Sequence, residues 1–147
     1  MKISTRGRYA LKIMMDLATC PEGEYISLKA ISERQQVSVK YLEQIIALLS
    51  RGGMLESTRG KAGGYRLAKK PSEYTAGDIL RLAEGSLAPI KCVEDSAGKC
   101  TNSAHCSTFS FWEGLNRAIN DYIDSTTLAD LALREREMGE EKARCEK

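Results

Sequence analysis

The chain is poor in the groups that most enzymes rely on. It has a single histidine, His105, among 147 residues. No Ser-His-Asp arrangement, Walker-type phosphate loop or dinucleotide fingerprint can be assembled from it, which argues against hydrolytic, nucleotide-using and nicotinamide-dependent enzymes. Long apolar runs are also missing. Past the first helix the longest is Ile45 to Leu49, far too short to span a bilayer. In the N-terminal stretch MKISTRGRYALKIMMDLATC, Lys12 and Asp16 interrupt the apolar residues before a signal-peptide core forms. These absences lead to the expectation of a cytoplasmic protein with no membrane partner. The five cysteines (Cys20, Cys92, Cys100, Cys106, Cys145) are an odd number. In a reducing compartment clustered cysteines read as metal ligands or redox groups, so no structural disulfide is expected.

The charge is unevenly spread. The formal net charge is only +2, but residues 1–91 hold 15 basic against 9 acidic residues and residues 92–147 hold 7 against 11. A basic first part suits a polyanion, and an acidic second part suits a segment that does not touch it.

Periodicity predicts a first helix over about Thr5 to Thr19, burying Ala10, Ile13, Met14, Leu17 and Ala18, and ended by Pro21 and Gly23. Ser27 caps a second helix, Leu28 to about Arg34. After a short turn Ser38 caps a third, through about Ser50, with Leu42, Ile45, Ile46 and Leu49 as its apolar stripe and Gly52-Gly53 as its stop. Two short helices joined this tightly outline a helix-turn-helix. Met54 to Thr58 and Tyr65 to Ala68 then read as strands flanking the basic, glycine-rich tip Arg59-Gly60-Lys61-Ala62-Gly63-Gly64, a wing. Thr75 and Asp78 make a capping box for a further helix that ends at Gly85. Leu87 to Ser107 is irregular and holds three cysteines, so something other than an apolar core must order it. A long helix over about Thr108 to Asp124 aligns Phe109, Trp112, Leu115, Ile119 and Tyr122 on a face suited to a second copy of the chain. A last short helix runs from Leu128 to about Glu137.

The expected fold is therefore mainly α with a small β wing: a winged helix-turn-helix followed by a long C-terminal dimerisation helix. Its parts are a DNA-binding domain at 1–85, a cysteine-containing loop at 86–107, the dimerisation and short terminal helices at 108–137, and a flexible tail at 138–147.

A reading helix enters the major groove by its N-terminal end, which places Ser38, Lys40, Tyr41 and Gln44 near bases and phosphates. Gln addresses adenine through two hydrogen bonds, while Lys, Tyr and Ser suit phosphates. Arg59, Gly60 and Lys61 at the wing tip are shaped to reach an adjacent minor groove. Cys92, Cys100 and Cys106 form C-x7-C-x5-C, a set of thiolates able to bind an iron–sulfur cluster or zinc, and spacing alone does not choose between them. His105, beside Cys106, is a candidate fourth ligand. Cys20 reads as structural, and Cys145 has no evident partner.

Several stretches carry a specific resemblance: Ser4 to Ala10 (STRGRYA), Ile31 to Gln35 (ISERQ), Ser38 with Tyr41-Leu42-Glu43-Gln44, Arg59-Gly60 with Gly63-Gly64-Tyr65, the three cysteines, and Trp112. Over nearly its whole length the chain resembles the IscR/NsrR-type family of winged-helix transcription repressors, nearest in pattern to the iron–sulfur cluster regulators. The resemblance implies a homodimer formed along the long helices and a palindromic double-stranded DNA operator. It also implies a 2Fe-2S cluster on Cys92, Cys100 and Cys106 whose occupancy governs DNA binding, and repression of cluster-biogenesis genes. A nitric-oxide or redox sensor is the alternative within the family, and a zinc-stabilised DNA-binding module without a sensor role the alternative outside it. Relatives that regulate cysteine metabolism share the fold but lack the cysteine trio. The chain departs from the pattern twice. Its first cysteine interval is longer, and Phe109 stands where a histidine is expected three residues after the last cysteine. The fourth ligand would then be His105, a carboxylate such as Glu43, or a group from a partner subunit.

Overall fold

The computed structural model describes residues 2–95 and 100–145, the stretch 140–145 by backbone alone. Part of the loop read as irregular, residues 96–99, thus lies outside the described residues.

Four serine or threonine caps set where the helices of the first part begin. Ser4 caps α1 (Thr5–Thr19), its hydroxyl accepting from the Gly7 N–H at 3.2 Å. Ser27 and Ser38 do the same for α2 (Leu28–Gln35) and α3 (Val39–Arg51), accepting from Ala30 and Tyr41 N–H groups. Each supplies a partner for an otherwise orphaned first-turn donor, worth about 1 kcal/mol. Gln36, at φ 52, takes the left-handed conformation that turns the chain sharply from α2 into α3. In α3 the expected stripe is fully spent on the core: Leu42, Ile45, Ile46 and Leu49 are all 2% exposed or less. They pack with Ala10, Ile13, Met14 and Leu17 of α1 and with Ile31 of α2.

The wing is an antiparallel pair, β1 (Leu55–Thr58) and β2 (Gly64–Leu67), in register Leu55↔Leu67 to Thr58↔Gly64. Ile26 joins it as a third rung, exchanging both main-chain hydrogen bonds with Tyr65 at 2.9 and 2.8 Å. That approach explains Gly64: a Cβ there would sit 2.3 Å from the Ile26 carbonyl oxygen. Arg66 braces the hairpin from its own side. It pairs with Glu56 across the rung at 2.8 and 2.9 Å and lies 4.5 Å over the Tyr25 ring.

α4 (Ala76–Glu84) starts at the anticipated Thr75–Asp78 capping box. α5 spans Phe109–Ser125, and α6 spans Leu128–Cys145. The last helix corrects the sequence reading. It does not stop near Glu137 but runs on through most of the stretch read as a flexible tail. The reason is local: residues 129–145 are dominated by Ala, Leu, Glu, Arg and Lys, all good helix formers, with Gly139 the only weak position.

Nor is the C-terminal part separate from the first. Thr75 and Thr127 form an antiparallel bridge, with Ala76 N–H donating to the Thr126 carbonyl at 2.8 Å and Leu128 N–H to the Tyr74 carbonyl at 2.9 Å. Leu128 is wholly buried in the same apolar cluster as Ile13, Ile45 and Ile79. Tyr74, 3% exposed, donates its hydroxyl to the Met54 carbonyl and accepts from the Lys69 N–H, both at 2.8 Å, so it ties the wing's base to the same seam. Burial pushes its phenol above the ordinary range, which keeps that donor protonated.

Leu128→Ala should therefore destabilise the whole winged domain, by about 2 to 5 kcal/mol. Exposed Glu135→Ala should move stability by no more than about 0.5 kcal/mol. Urea unfolding followed by circular dichroism compares the two; equal midpoints would show that α6 does not complete the core.

Candidate nucleic-acid interface and cysteine loop

With one face of α3 buried, the opposite face consists of Val39, Lys40, Glu43, Gln44 and Ala47, all exposed. Ser38 is exposed too, but its hydroxyl already accepts as the cap, which leaves its proton and one lone pair for an outside partner. Tyr41 is half-buried. Its ring meets Tyr9 edge-to-face at 5.9 Å, and Lys12 lies 5.4 Å over the Tyr9 ring. The tyrosine thus packs by its body against α1. Of the sequence candidates on this helix, Lys40 and Gln44 are the fully exposed side chains.

The wing tip carries Arg59, Gly60 and Lys61, all exposed, and Gly60 takes φ 106, a conformation other residues adopt only with strain. Among the described residues the basic groups held in ion pairs are Lys29, Arg34, Arg66 and Arg81. Lys40, Arg59 and Lys61 are not among them and remain available to phosphates.

The cysteine loop lies on another side of α4 and α5. Cys92 is exposed on a 3-10 turn over Lys91–Val93, Cys100 is half-buried, and Cys106 is exposed in extended backbone directly after a second 3-10 turn, Ser103–His105. The neighbouring Cys100 thiol, through hydrogen bonding and charge, and then the charge of Cys106 hold the Cys92 thiol above its usual range. Cys106 goes the other way. The Thr108 hydroxyl, 3.5 Å from its Sγ, and main-chain N–H groups at Thr108 and Phe109 hold its thiol below the usual range and favour its thiolate. Among the described residues no three His, Cys, Asp or Glu side chains converge on one point where a single metal ion would sit. His105 is exposed, and the chain around it is irregular because α5 begins only at Phe109. Cys106 and Phe109 therefore do not share a helical face, although the Phe109 N–H donates to the Cys106 carbonyl at 3.2 Å. Glu43 is placed on the exposed face of α3, among the reading-helix residues. Cys20 behaves as a structural residue: burial pushes its thiol up, and its Sγ donates to the Asp16 carbonyl at 3.3 Å. The side chain of Cys145 lies outside the described residues.

None of the residues of α5 is buried within the protomer. Phe109, Trp112 and Ile119 are half-buried, while Leu115 and Tyr122 are exposed, Tyr122 by 65%.

The profile of the Rrf2 family, described as an iron-dependent transcriptional regulator, matches residues 3–134. The chain belongs to the Rrf2 family. Among curated Rrf2-like relatives it is 41% identical to the putative HTH-type transcriptional regulator NMA1593 of Neisseria meningitidis over 131 residues, 89% of this chain and 87% of that one. It is 40% identical to CymR of Bacillus subtilis, with 90% of each chain covered, and 34% identical to IscR of Vibrio campbellii, covering 89% of this chain and 77% of the other. Solved structures agree. The B. subtilis CymR structure, titled the global cysteine regulator, superposes with TM-score 0.76 at 39% identity over 91% and 98% of the two chains. The T. potens IscR structure gives 0.74 at 40% identity over 95% and 90%. The chain is thus a DNA-binding transcriptional regulator of Rrf2 type, not an enzyme, with the winged helix of its relatives and C-terminal helices. Among the described residues no helix is long and apolar enough to cross a membrane.

On this Rrf2 scaffold the sequence reading omitted Val39 and Phe111. Val39 is 43% exposed at the first position of the reading helix, where its methyls suit a thymine methyl. Phe111, 63% exposed, stacks edge-to-face on Trp112 at 5.0 Å and enlarges the apolar surface of α5. An apolar residue directly after a helix cap and a second aromatic beside Trp112 were the available signals.

Two substitutions separate contact from architecture in the wing. Arg59→Ala should weaken operator binding by about 1 to 3 kcal/mol and leave unfolding unchanged. Gly64→Ala should lower both affinity and stability, the latter by about 1 to 3 kcal/mol, because a methyl cannot fit against Ile26. DNA titration beside urea unfolding reads both; an Arg59→Ala protein of undiminished affinity would remove that side chain from the interface.

Proposed function

We propose that this regulator works as a homodimer on palindromic DNA and that its affinity is set by a 2Fe-2S cluster bound through Cys92, Cys100 and Cys106. The supporting observation is the thiol arrangement: Cys92 on the turn fastened to α5, Cys106 exposed just before α5 with the Thr108 hydroxyl 3.5 Å from its Sγ, and Cys100 and Cys106 both near enough to Cys92 to raise its thiol. A two-iron cluster divides its ligands between two metals and does not require three side chains to meet at one point. The lack of a three-ligand focus among the described residues fits that demand better than it fits a single zinc ion. When bound, the cluster would supply a redox-active and chemically labile centre. The chain's own residues would supply the ligands, and the Thr108 hydroxyl favours a thiolate at Cys106. With Phe109 beyond the last cysteine, the fourth position falls to His105, to a carboxylate such as Glu43, to a group from a partner subunit, or to a weak oxygen ligand, which would leave one iron accessible to small molecules such as nitric oxide.

Lys40, Gln44, Arg59 and Lys61 are the side chains proposed to hold the DNA. Ser38 and Tyr41 contribute from positions fixed by the cap and by Tyr9. The two reading helices of a dimer would address half-sites about one helical turn or more apart. A second reading is favoured by the likeness to CymR, whose structure is titled a cysteine regulator: control of sulfur supply without a cluster, the three thiols then serving another purpose.

Anaerobic reconstitution with iron and sulfide distinguishes these readings. The chain should acquire strong visible absorption, lost in Cys92→Ala, Cys100→Ala and Cys106→Ala and kept in His105→Ala if the fourth ligand lies elsewhere. A colourless protein binding zinc alone, or nothing, would defeat the cluster reading. Sedimentation should give a dimer at micromolar concentration, and Leu115→Glu with Tyr122→Glu should give a monomer; a wild-type monomer would rule out the dimer.

A further inference from the structure

The 3-10 turn that carries Cys92 is too short to hold its own position. Within it only Val93 N–H to the Ile90 carbonyl and Glu94 N–H to the Lys91 carbonyl are bonded, at 3.3 and 3.1 Å. A side chain of α5 fastens this turn to a helix: Asn116, whose Nδ2 donates to the Val93 carbonyl at 3.2 Å. Asn116 does not stand alone. Asn120, one turn along α5, donates its Nδ2 to the Asn116 main-chain carbonyl at 2.8 Å and to Asn116 Oδ1 at 3.3 Å. Asn120 Oδ1 in turn accepts from Arg81 Nη1 of α4 at 3.0 Å, and Arg81 also pairs with Asp124.

α4 is the element that receives this chain of bonds, and it packs on both α1 and α3. Leu82 closes over Gly52, the C-cap of α3, so tightly that a Cβ on Gly52 would lie 2.3 Å from its Cδ2. Glu84 accepts from both the N–H and the hydroxyl of Ser4, the residue that caps α1. A continuous set of polar bonds and close contacts thus leads from the carbonyl beside Cys92 to the far end of the reading helix. Asn116, Asn120 and Arg81 are all half-buried, so their bonds are partly shielded from competing water.

We propose that Asn116 is a positioning residue that couples the Cys92 turn to the reading helix through Asn120, Arg81 and α4. The inference rests on the reading of Cys92 as a sensing residue only for its purpose; the coupling itself belongs to the protein's own residues. Coupling between two sites is reciprocal, so whatever the turn does to DNA affinity, DNA must do to the turn. This makes the proposal testable without any cluster.

The test uses metal-free full-length protein under anaerobic, reducing conditions and a duplex enriched by the wild-type protein from a random-sequence pool. Iodoacetamide labelling of each cysteine is followed by peptide mass spectrometry at fixed pH. In the wild type, saturating duplex should change the labelling rate of Cys92 by about fivefold or more, the low end of ordinary allosteric coupling. Asn116→Asp keeps the acceptor for Asn120 but cannot donate to the Val93 carbonyl, and Asn116→Ala removes both functions without adding charge. Both variants should label faster at Cys92 in the absence of DNA, lose the DNA-dependent change, and still bind the duplex. Labelling of Cys20 should stay at the wild-type rate, which reports an intact fold. Persistence of the DNA-dependent change in both variants, or its absence in the wild type, would overturn the coupling. A wild-type protein that shows the response yet takes up no cluster on reconstitution would defeat the proposed function and leave the coupling standing.

Discussion

Leu42, Ile45, Ile46 and Leu49 determine which way everything else on α3 points. Because these four are buried to within 2%, the helix has no rotational freedom about its axis, and Lys40 and Gln44 are aimed outward as a consequence. The cost of turning the helix would be the exposure of several aliphatic side chains, each worth about 1.5 to 3 kcal/mol. That is more than any single phosphate contact could recover. The outward face of α3 is therefore fixed by the core behind it.

The wing is prepared by different means. Leu55 is its buried side chain, with Tyr65 and Leu67 half-buried against the core, and the rest of its shape comes from a main-chain rung to Ile26, from Gly64 making room for that rung, and from Arg66 clasping Glu56 and Tyr25. Two arginines seven residues apart thus have separate duties: Arg66 is consumed in bracing, and Arg59, outside any ion pair among the described residues, stays exposed. Charge alone does not tell them apart; the rung opposite does.

How much of this could be read from the sequence follows the range of the interactions involved. The starts of α2, α3 and α4 were legible because Ser27, Ser38 and Thr75 act on N–H groups two or three residues away. The wing was legible because its glycines and its basic tip are contiguous. Three features were not. Leu128 looked like part of a terminal appendage because its partners, Tyr74 and the α1 stripe, lie more than fifty residues upstream. α6 looked frayed beyond Glu137 because its charges carry no apolar period, although its residues favour helix. The packing of Tyr41 was not legible because Tyr9, the ring it meets edge-to-face, lies far upstream in α1. In the candidate metal site, spacing predicted that the three cysteines belong to one loop, whereas the differing environments of Cys92 and Cys106 depend on where α5 begins.

The burial of Leu128 also bears on the order of events in the cell. A chain made from its N-terminus presents residues 1–85 first, but the core of that part stays unfilled until α6 has been synthesised. By then the loop bearing Cys92, Cys100 and Cys106 is complete. A fragment cut short by truncation or proteolysis in the loop would lack the plug for its own core and would be exposed to degradation. The fold thus ties the stability of residues 1–85 to a helix that lies beyond the cysteine loop.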